Sequence, residues 1–286
     1  MYKLYVCVFK PTHLFYELPF DERLTELEKN IKDAHEWFQK NKEDNSKGIF
    51  LGPEYLFKDF SKKLHDLYYT SEQKSTFKKR LLELSQQIDL IIAPGTICWK
   101  KTKEENIYYR NMVYFFYQGE IKKYHKKHPY SGSDDDYNPG VRPKGSMTLK
   151  ERFKFFKTED KGQYPEIIQI GGLTFGVAIC ADHLHRQFVY RLEQGIYNNV
   201  DIQLVIADGI SDRETRPANI NNLVFIKVEK RDDFFTLIGT ITATQVESDF
   251  SIHKAQNLNE DSSPLQFYEC VIPSNTVANE QKAHPV

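Results

Sequence analysis

Leu173-Thr174-Phe175-Gly176-Val177-Ala178-Ile179-Cys180-Ala181-Asp182 is the stretch that decides how this chain is read. An apolar, β-prone run ends on a cysteine, and a helix is expected soon after it, over about residues 186–197. Gly171-Gly172 supplies a turn just before the run, and Glu166–Ile170 supplies the partner strand of a hairpin. Beyond the helix, Ile202-Gln203-Leu204-Val205-Ile206-Ala207 reads as a further strand. A cysteine held between a buried strand and a helix sits on a tight turn, with helix-terminal N–H groups close by.

The same alternation extends towards the N-terminus. Residues 2–9 are nearly all apolar and suit a strand buried on both faces. Leu24, Leu27, Ile31, Ala34 and Phe38 fall three or four residues apart and mark one face of a helix. Ile49-Phe50-Leu51 then runs into Gly52-Pro53-Glu54. Ser71 is the expected cap of a helix whose apolar face carries Phe77, Leu81, Leu84 and Ile88. Leu90-Ile91-Ile92-Ala93 is closed by Pro94-Gly95. Residues 107–117 form a long strand, Gln118-Gly119 a turn, and residues 121–127 the returning strand. Strands alternating with helices define an α/β protein, and the two hairpins make its sheets mixed. No internal repeat or linker interrupts the chain, so one domain is expected over residues 1–275, with 276–286 a flexible tail.

Composition narrows the function classes. The 286 residues are 40% hydrophobic and 28% charged, ordinary for a soluble globular protein. A formal net charge of −1 gives no whole-molecule attraction to nucleic acid or to an anionic membrane. No segment reaches the ~18 consecutive apolar residues of a membrane span. Met1–Phe9 lacks the small-residue cleavage site of a signal peptide. The cysteines, at positions 7, 98, 180 and 270, have neither C-x-x-C spacing nor a dense disulfide pattern. A cytoplasmic location fits, and there a single cysteine is available for catalysis.

Three reactive groups fall where strands end: Glu54 after Gly52-Pro53, Lys126 in Tyr124-His125-Lys126-Lys127-His128, and Cys180. In α/β sheets, ligand crevices form at the carboxyl ends of strands. Alternation along the second hairpin strand puts Tyr124 and Lys126 on one face, with His125 and Lys127 on the other. Each residue has a plainer reading beside this one. A strand-terminal cysteine is often a small buried hydrophobe, Glu54 a solvated turn carboxylate, and a lysine-rich edge strand a guard against aggregation. The basic run 122–128 has the composition of a nucleic-acid patch, but aromatic interleaving is thin and Asp134-Asp135-Asp136 opposes it. His183 and His185 with Asp182 offer metal-binding atoms, yet residues two apart do not share a helix face. No H-E-x-x-H, paired C-x-x-C, P-loop or G-x-G-x-x-G is present.

Taken in order, Gly52-Pro53-Glu54-Tyr55, Tyr124-His125-Lys126-Lys127-His128 and Gly176-Val177-Ala178-Ile179-Cys180-Ala181-Asp182 resemble the signature of the nitrilase superfamily of thiol carbon–nitrogen hydrolases. Tyr109-Arg110-Asn111, Gly119-Glu120-Ile121 and Asn138-Pro139-Gly140 match the family's surrounding motifs, and the likeness covers about residues 1–208. The resemblance implies an αββα four-layer sandwich of two mixed β-sheets. It implies Cys180 as nucleophile, Glu54 as base and Lys126 as oxyanion stabiliser, helped by the Ala181 N–H. Tyr55 and Asp135 fall at substrate-binding positions. The implied reaction is hydrolysis of a small amide or N-carbamoyl compound through a thioester, releasing ammonia. No cofactor or metal is implied, and the partner is a small-molecule amide, not nucleic acid or membrane. A homodimer or higher homo-oligomer is expected, assembled through roughly residues 183–225. Nitriles are less favoured, because nitrilases typically follow the cysteine with Trp-Glu, and here Ala181-Asp182 follows. The alternatives are a thiol acyltransferase or deamidase with the same triad, and a catalytically silent binding module.

Departures from the family pattern are specific. Asp135 stands where a second Glu is usual, one methylene shorter, and His125 replaces the usual Arg. Residues 142–161 form an additional basic stretch, whose Leu149, Phe153 and Phe156 suit one helical face of a lid or of an extra surface helix. The family's Arg-Ala-x-Glu-Asn helix is reduced to Arg216-Pro217-Ala218-Asn219, where Pro217 opposes a helix, and its late Gly-x-Ser strand is not found. A remodelled C-terminal third is therefore expected.

Overall fold

The computed structural model describes residues 2–62, 64–103, 106–128, 166–197, 199–211, 213–243, 250–258 and 263–272. Asp135, the turn at 138–140, the 142–161 stretch and the 276–286 tail lie outside the described residues.

The first sheet collects β1 (Tyr2–Phe9), β2 (Ser46–Leu51), β3 (Ile91–Ala93), β4 (Thr96–Lys103), β5 (Asn106–Tyr117) and β6 (Glu120–His125). The second begins with β7 (Ile167–Ile170), β8 (Leu173–Ile179) and β9 (Ile202–Ala207), and continues with β10 (Val224–Glu229), β11 (Leu237–Ala243) and β12 (Phe250–Lys254). The chain then returns to the first sheet with β13 (Gln256–Asn257) and β14 (Leu265–Ile272). The strand orders are β13-β14-β1-β2-β3-β5-β4, with β6 on β5, and β12-β11-β10-β9-β8-β7. Parallel pairs β1–β2, β2–β3, β8–β9 and β9–β10 sit among antiparallel ones, so both sheets are mixed.

Alternation along β1 shows how the layers form. Leu4, Val6 and Val8 enter the core between the sheets, where they join Val177, Ile179, Leu204 and Ile206. Tyr5, Cys7 and Phe9 point the other way, into a second core under the helices. There α1 (His13–Glu17), α2 (Phe20–Asn41) and α3 (Ser71–Ser85) cover the first sheet, α2 with Leu24, Leu27, Ile31, Ala34 and Phe38. The cap of α3 is Thr70 and not Ser71. Its Oγ1 accepts the Gln73 N–H at 3.1 Å while Gln73 Oε1 accepts the Thr70 N–H at 2.9 Å, a reciprocal pair that Ser71 has no glutamine placed to complete. After Cys180 come α4 (Ala181–Leu184) and α5 (Gln187–Glu193), shorter than the helix expected over 186–197. Phe188, Val189 and Leu192 of α5 bury against the second sheet. The architecture is the expected αββα sandwich.

Residues beyond Asp208 complete both sheets: β10 lies parallel to β9, and β14 pairs antiparallel with the full length of β1. Residues 216–219 are not helical, as Pro217 requires. β4, absent from the sequence reading, forms an edge of the first sheet.

Candidate active site

Glu54 is positioned by two glycine turns pressed together. A Cβ at Gly52 would stand 2.3 Å from the Pro94 carbonyl oxygen, and one at Gly95 2.3 Å from that of Pro53. Thr96 joins the turns by donating its N–H to Pro53 at 3.2 Å and accepting the Tyr55 N–H on Oγ1 at 2.8 Å. The Glu54 side chain is thereby driven inward and is fully buried.

Lys126, one residue past β6, is also fully buried. Its Nζ donates to Glu54 Oε1 at 2.8 Å, and Asn111 Nδ2 on β5 donates to the same oxygen at 2.8 Å. The Lys126 N–H is tied to the Asn111 carbonyl at 2.9 Å, so strand pairing carries both donors to the carboxylate. Tyr55, at φ +58°, places its hydroxyl 3.4 Å from Lys126 Nζ. Burying an ion pair yields little net stability, because desolvation offsets the attraction, whereas removing one partner costs about 3–5 kcal/mol. A pair kept under those terms points to chemistry more than to folding.

Cys180 occupies φ +44°, ψ −105°, a conformation that costs a non-glycine residue about 1–3 kcal/mol. It is held there from both sides. Its N–H donates to Ile206 O at 2.8 Å, and its carbonyl accepts the His183 N–H at 2.8 Å. The next carbonyl of β9, Ala207, accepts the Glu54 N–H at 3.4 Å. Two consecutive carbonyls at the end of one strand thus hold the cysteine and the glutamate. The Cys180 sulfur lies 3.9 Å from the Asp208 carbonyl oxygen, and Ala181 opens α4 as a buried residue.

Asp182 ties the lysine segment to this turn. Its buried carboxylate accepts the Tyr124 hydroxyl at 2.9 Å, the Lys127 N–H at 3.0 Å and the His128 N–H at 2.6 Å. Burial pushes its pKa up to about 6, against the pull of the Lys126 charge and these donors. Tyr124 turns to Asp182 and Lys126 to Glu54. Lys127 is not the solvated charge its position suggests: its Nζ pairs with buried Glu166 at 2.5 Å. His183 packs on Phe225 and accepts the Arg216 N–H on Nε2 at 3.2 Å, while the His185 ring lies tilted against His128 with centroids 4.0 Å apart. Among the described residues no group of three or more His, Cys, Asp or Glu is arranged to hold a metal.

His183 gives a stability prediction with a definite sign. Burial, with the nearby charges of Arg186 and Lys227, lowers its pKa to about 4. The unfolded chain takes up this proton first, so the stability contribution is complete above about pH 6.5 and is lost as pH falls towards 4. Asp182 works in the opposite sense over part of that window, because its raised pKa favours the folded state on protonation. Comparing His183→Gln with the parent chain cancels Asp182. Denaturant melts at pH 7 and pH 4 should show the parent losing up to ~3 kcal/mol more than the variant. An identical loss in both would refute the assignment.

Asn111, Asp182, Asp208 and Lys230, whose Nζ donates to the Asp208 carboxylate at 2.9 Å, were not singled out as site residues from the sequence. Asn111 stood in a noted motif, and Asp182 closed the cysteine segment. Asp208 and Lys230 carry no local signal.

Two mixed sheets with outer helices, and a buried Glu–Lys pair beside a strand-terminal cysteine, define a nitrilase-like protein. The carbon-nitrogen hydrolase family model matches residues 22–219, and the chain belongs to that family of enzymes, which cleave carbon–nitrogen bonds. No curated protein matches it in sequence. Among solved structures, a carbon-nitrogen hydrolase from Helicobacter pylori G27 is similar at 14% identity and TM-score 0.58, over 94% of this chain and 89% of that one. Nit3 of Saccharomyces cerevisiae, a member of branch 10 of the nitrilase superfamily, aligns at 13% identity and TM-score 0.53, over 94% and 90%. An amidase from Nesterenkonia sp. aligns at 12% identity and TM-score 0.52, over 93% and 90%. At such identities the likeness is one of fold. No helix among the described residues is long and apolar enough to cross a membrane.

Proposed function

We propose that the chain hydrolyses a small amide or N-carbamoyl compound through a Cys180 thioester. The observation that carries this reading is the buried Lys126–Glu54 pair at 2.8 Å, joined through the end of β9 to the strained turn of Cys180. Glu54 removes the thiol proton, and the sulfur attacks the amide carbon. The carbonyl π electrons move to oxygen, where the Lys126 ammonium and the Ala181 N–H receive the charge. Collapse of that intermediate expels ammonia, protonated by Glu54, and leaves the thioester. Glu54 then takes a proton from water, the hydroxide displaces the sulfur, and the acid departs. A lysine suits the oxyanion role because it remains cationic throughout. Two donors on Oε1 orient the Glu54 carboxylate, and Tyr55 lines the same space.

Ammonia release over a panel of amides, N-carbamoyl compounds and nitriles tests this directly. At least one amide or N-carbamoyl compound should be turned over, and nitriles should be slower. A folded protein that releases no ammonia from any of them would be a silent scaffold.

A further inference from the structure

The two donors assigned to the oxyanion come from different sheets. Lys126 follows β6 of the first sheet and Ala181 follows β8 of the second, across a sandwich packed through apolar side chains. Apolar packing is non-directional, so it holds the layers together without fixing how two polar atoms face each other across them. Where both donors must meet one oxygen, a directional tie is required. Asp182 supplies one.

Pairing of β6 with β5 ends at His125, opposite Met112. The Lys126 N–H still reaches the Asn111 carbonyl at 2.9 Å, but the next two N–H groups go to Asp182. Asp182 Oδ1 accepts that of Lys127 at 3.0 Å and that of His128 at 2.6 Å. Oδ2 accepts the Tyr124 hydroxyl at 2.9 Å and lies 3.1 Å from the Lys127 nitrogen. The carboxylate thus grips the chain on both sides of Lys126, while the lysine side chain leaves for Glu54. Burial raises the Asp182 pKa to about 6, so the group is ionised at neutral pH, and charge-assisted bonds are roughly twice as strong as neutral ones. Asp182 is in turn fixed to the nucleophile. It lies in the four-residue α4, whose first turn is closed on the Cys180 carbonyl by the His183 N–H at 2.8 Å. One turn therefore carries the nucleophile, one oxyanion donor and the grip on the other.

We propose that Asp182 is a positioning residue, which sets the separation of the Lys126 ammonium and the Ala181 N–H by clasping the lysine segment to the cysteine turn. This rests on the hydrolase reading above and adds to it a residue that touches no reacting atom. Asparagine at this position would offer one acceptor oxygen, and its NH₂ would meet donors in place of the second. Lys126 would then be misplaced with respect to the oxyanion, which weakens binding of the transition state more than that of the substrate. The Lys127 side chain is a separate strap, to Glu166, and its removal leaves the Lys127 N–H on Asp182.

Asp182→Asn should lower kcat about 10–10²-fold with KM within about threefold of the parent chain. Asp182→Glu, which keeps both oxygens, should recover part of that loss. A double-mutant cycle with Lys126→Ala separates positioning from general support. On the Lys126→Ala background, Asp182→Asn should cost less than about threefold more, because the group it positions is gone. A fully multiplied loss in the double variant, with denaturant melts showing each chain folded, overturns the inference and leaves Asp182 a structural residue. So does a kcat for Asp182→Asn within about twofold of the parent. Amide hydrogen exchange needs no substrate and separates this inference from the hydrolase reading. Near neutral pH, the Lys127 and His128 amide protons should exchange about tenfold or more faster in Asp182→Asn than in the parent. That of Lys126, bonded to Asn111, should change little. Equal exchange at Lys127 and His128 in the two chains refutes the clasp whatever the turnover. If exchange is faster in the variant but the parent cleaves no amide, the hydrolase reading fails and the clasp stands.

Discussion

Replacing Cys180 with alanine should reduce amide turnover to background, a loss on the order of 10⁵-fold or more, because the covalent route has no substitute nucleophile. The fold should survive, since the change in volume is small and the backbone contacts to Ile206 and His183 do not involve the sulfur. Steady-state ammonia release and a denaturant melt on the same sample check both halves. The remaining cysteines are poor competitors. Burial raises the Cys7 thiol well above its ordinary range and pushes Cys270 up to about 12, and Cys98 is fully buried. An alkylating reagent that inactivates the chain should therefore mark Cys180. Inactivation with Cys180 unmarked and another cysteine labelled would contradict the assignment.

Lys126→Ala should cost about 10²–10³-fold in kcat through loss of the oxyanion donor. It should also destabilise the fold by about 3–5 kcal/mol, because the Glu54 carboxylate is left buried without its cation. Lys126→Met combined with Glu54→Gln removes that unpaired charge, and should recover much of the stability while remaining inactive. Lys127→Ala is the control. Glu166 keeps Arg191 at 3.1 Å and Tyr197 at 2.8 Å after that change, so turnover should stay within about tenfold of the parent. Comparable kinetic losses in the two lysine variants would overturn the register that separates them.

The contrast between these lysines shows what the sequence discloses. The family motif singled out Lys126, whereas period-two alternation could not orient it, because β6 ends at His125. Apolar runs ending at Gly52-Pro53 and at Cys180 were equally legible, since a buried strand must stop where its polar residues begin. The C-terminal strands were harder to see because their buried positions include charges. In β10, Lys227 and Glu229 are fully buried. Lys227 donates to the Ile210 carbonyl at 3.0 Å, and Glu229 accepts the Gly209 N–H at 2.7 Å and the Ile210 N–H at 3.1 Å. Their partners come from a loop about twenty residues earlier, and no local pattern announces such a bond.

The central claim is that Cys180 carries the acyl group between the two halves of the reaction. Acid quenching during turnover of a cleaved amide, followed by peptide mass spectrometry of the full chain, tests it most directly. The expected result is the mass of the acyl group on the peptide containing Cys180, absent from the Cys180→Ala chain. Ammonia release by the Cys180→Ala chain at the parent rate, or an acyl group found on a different residue while Cys180 stays unmodified, would contradict it.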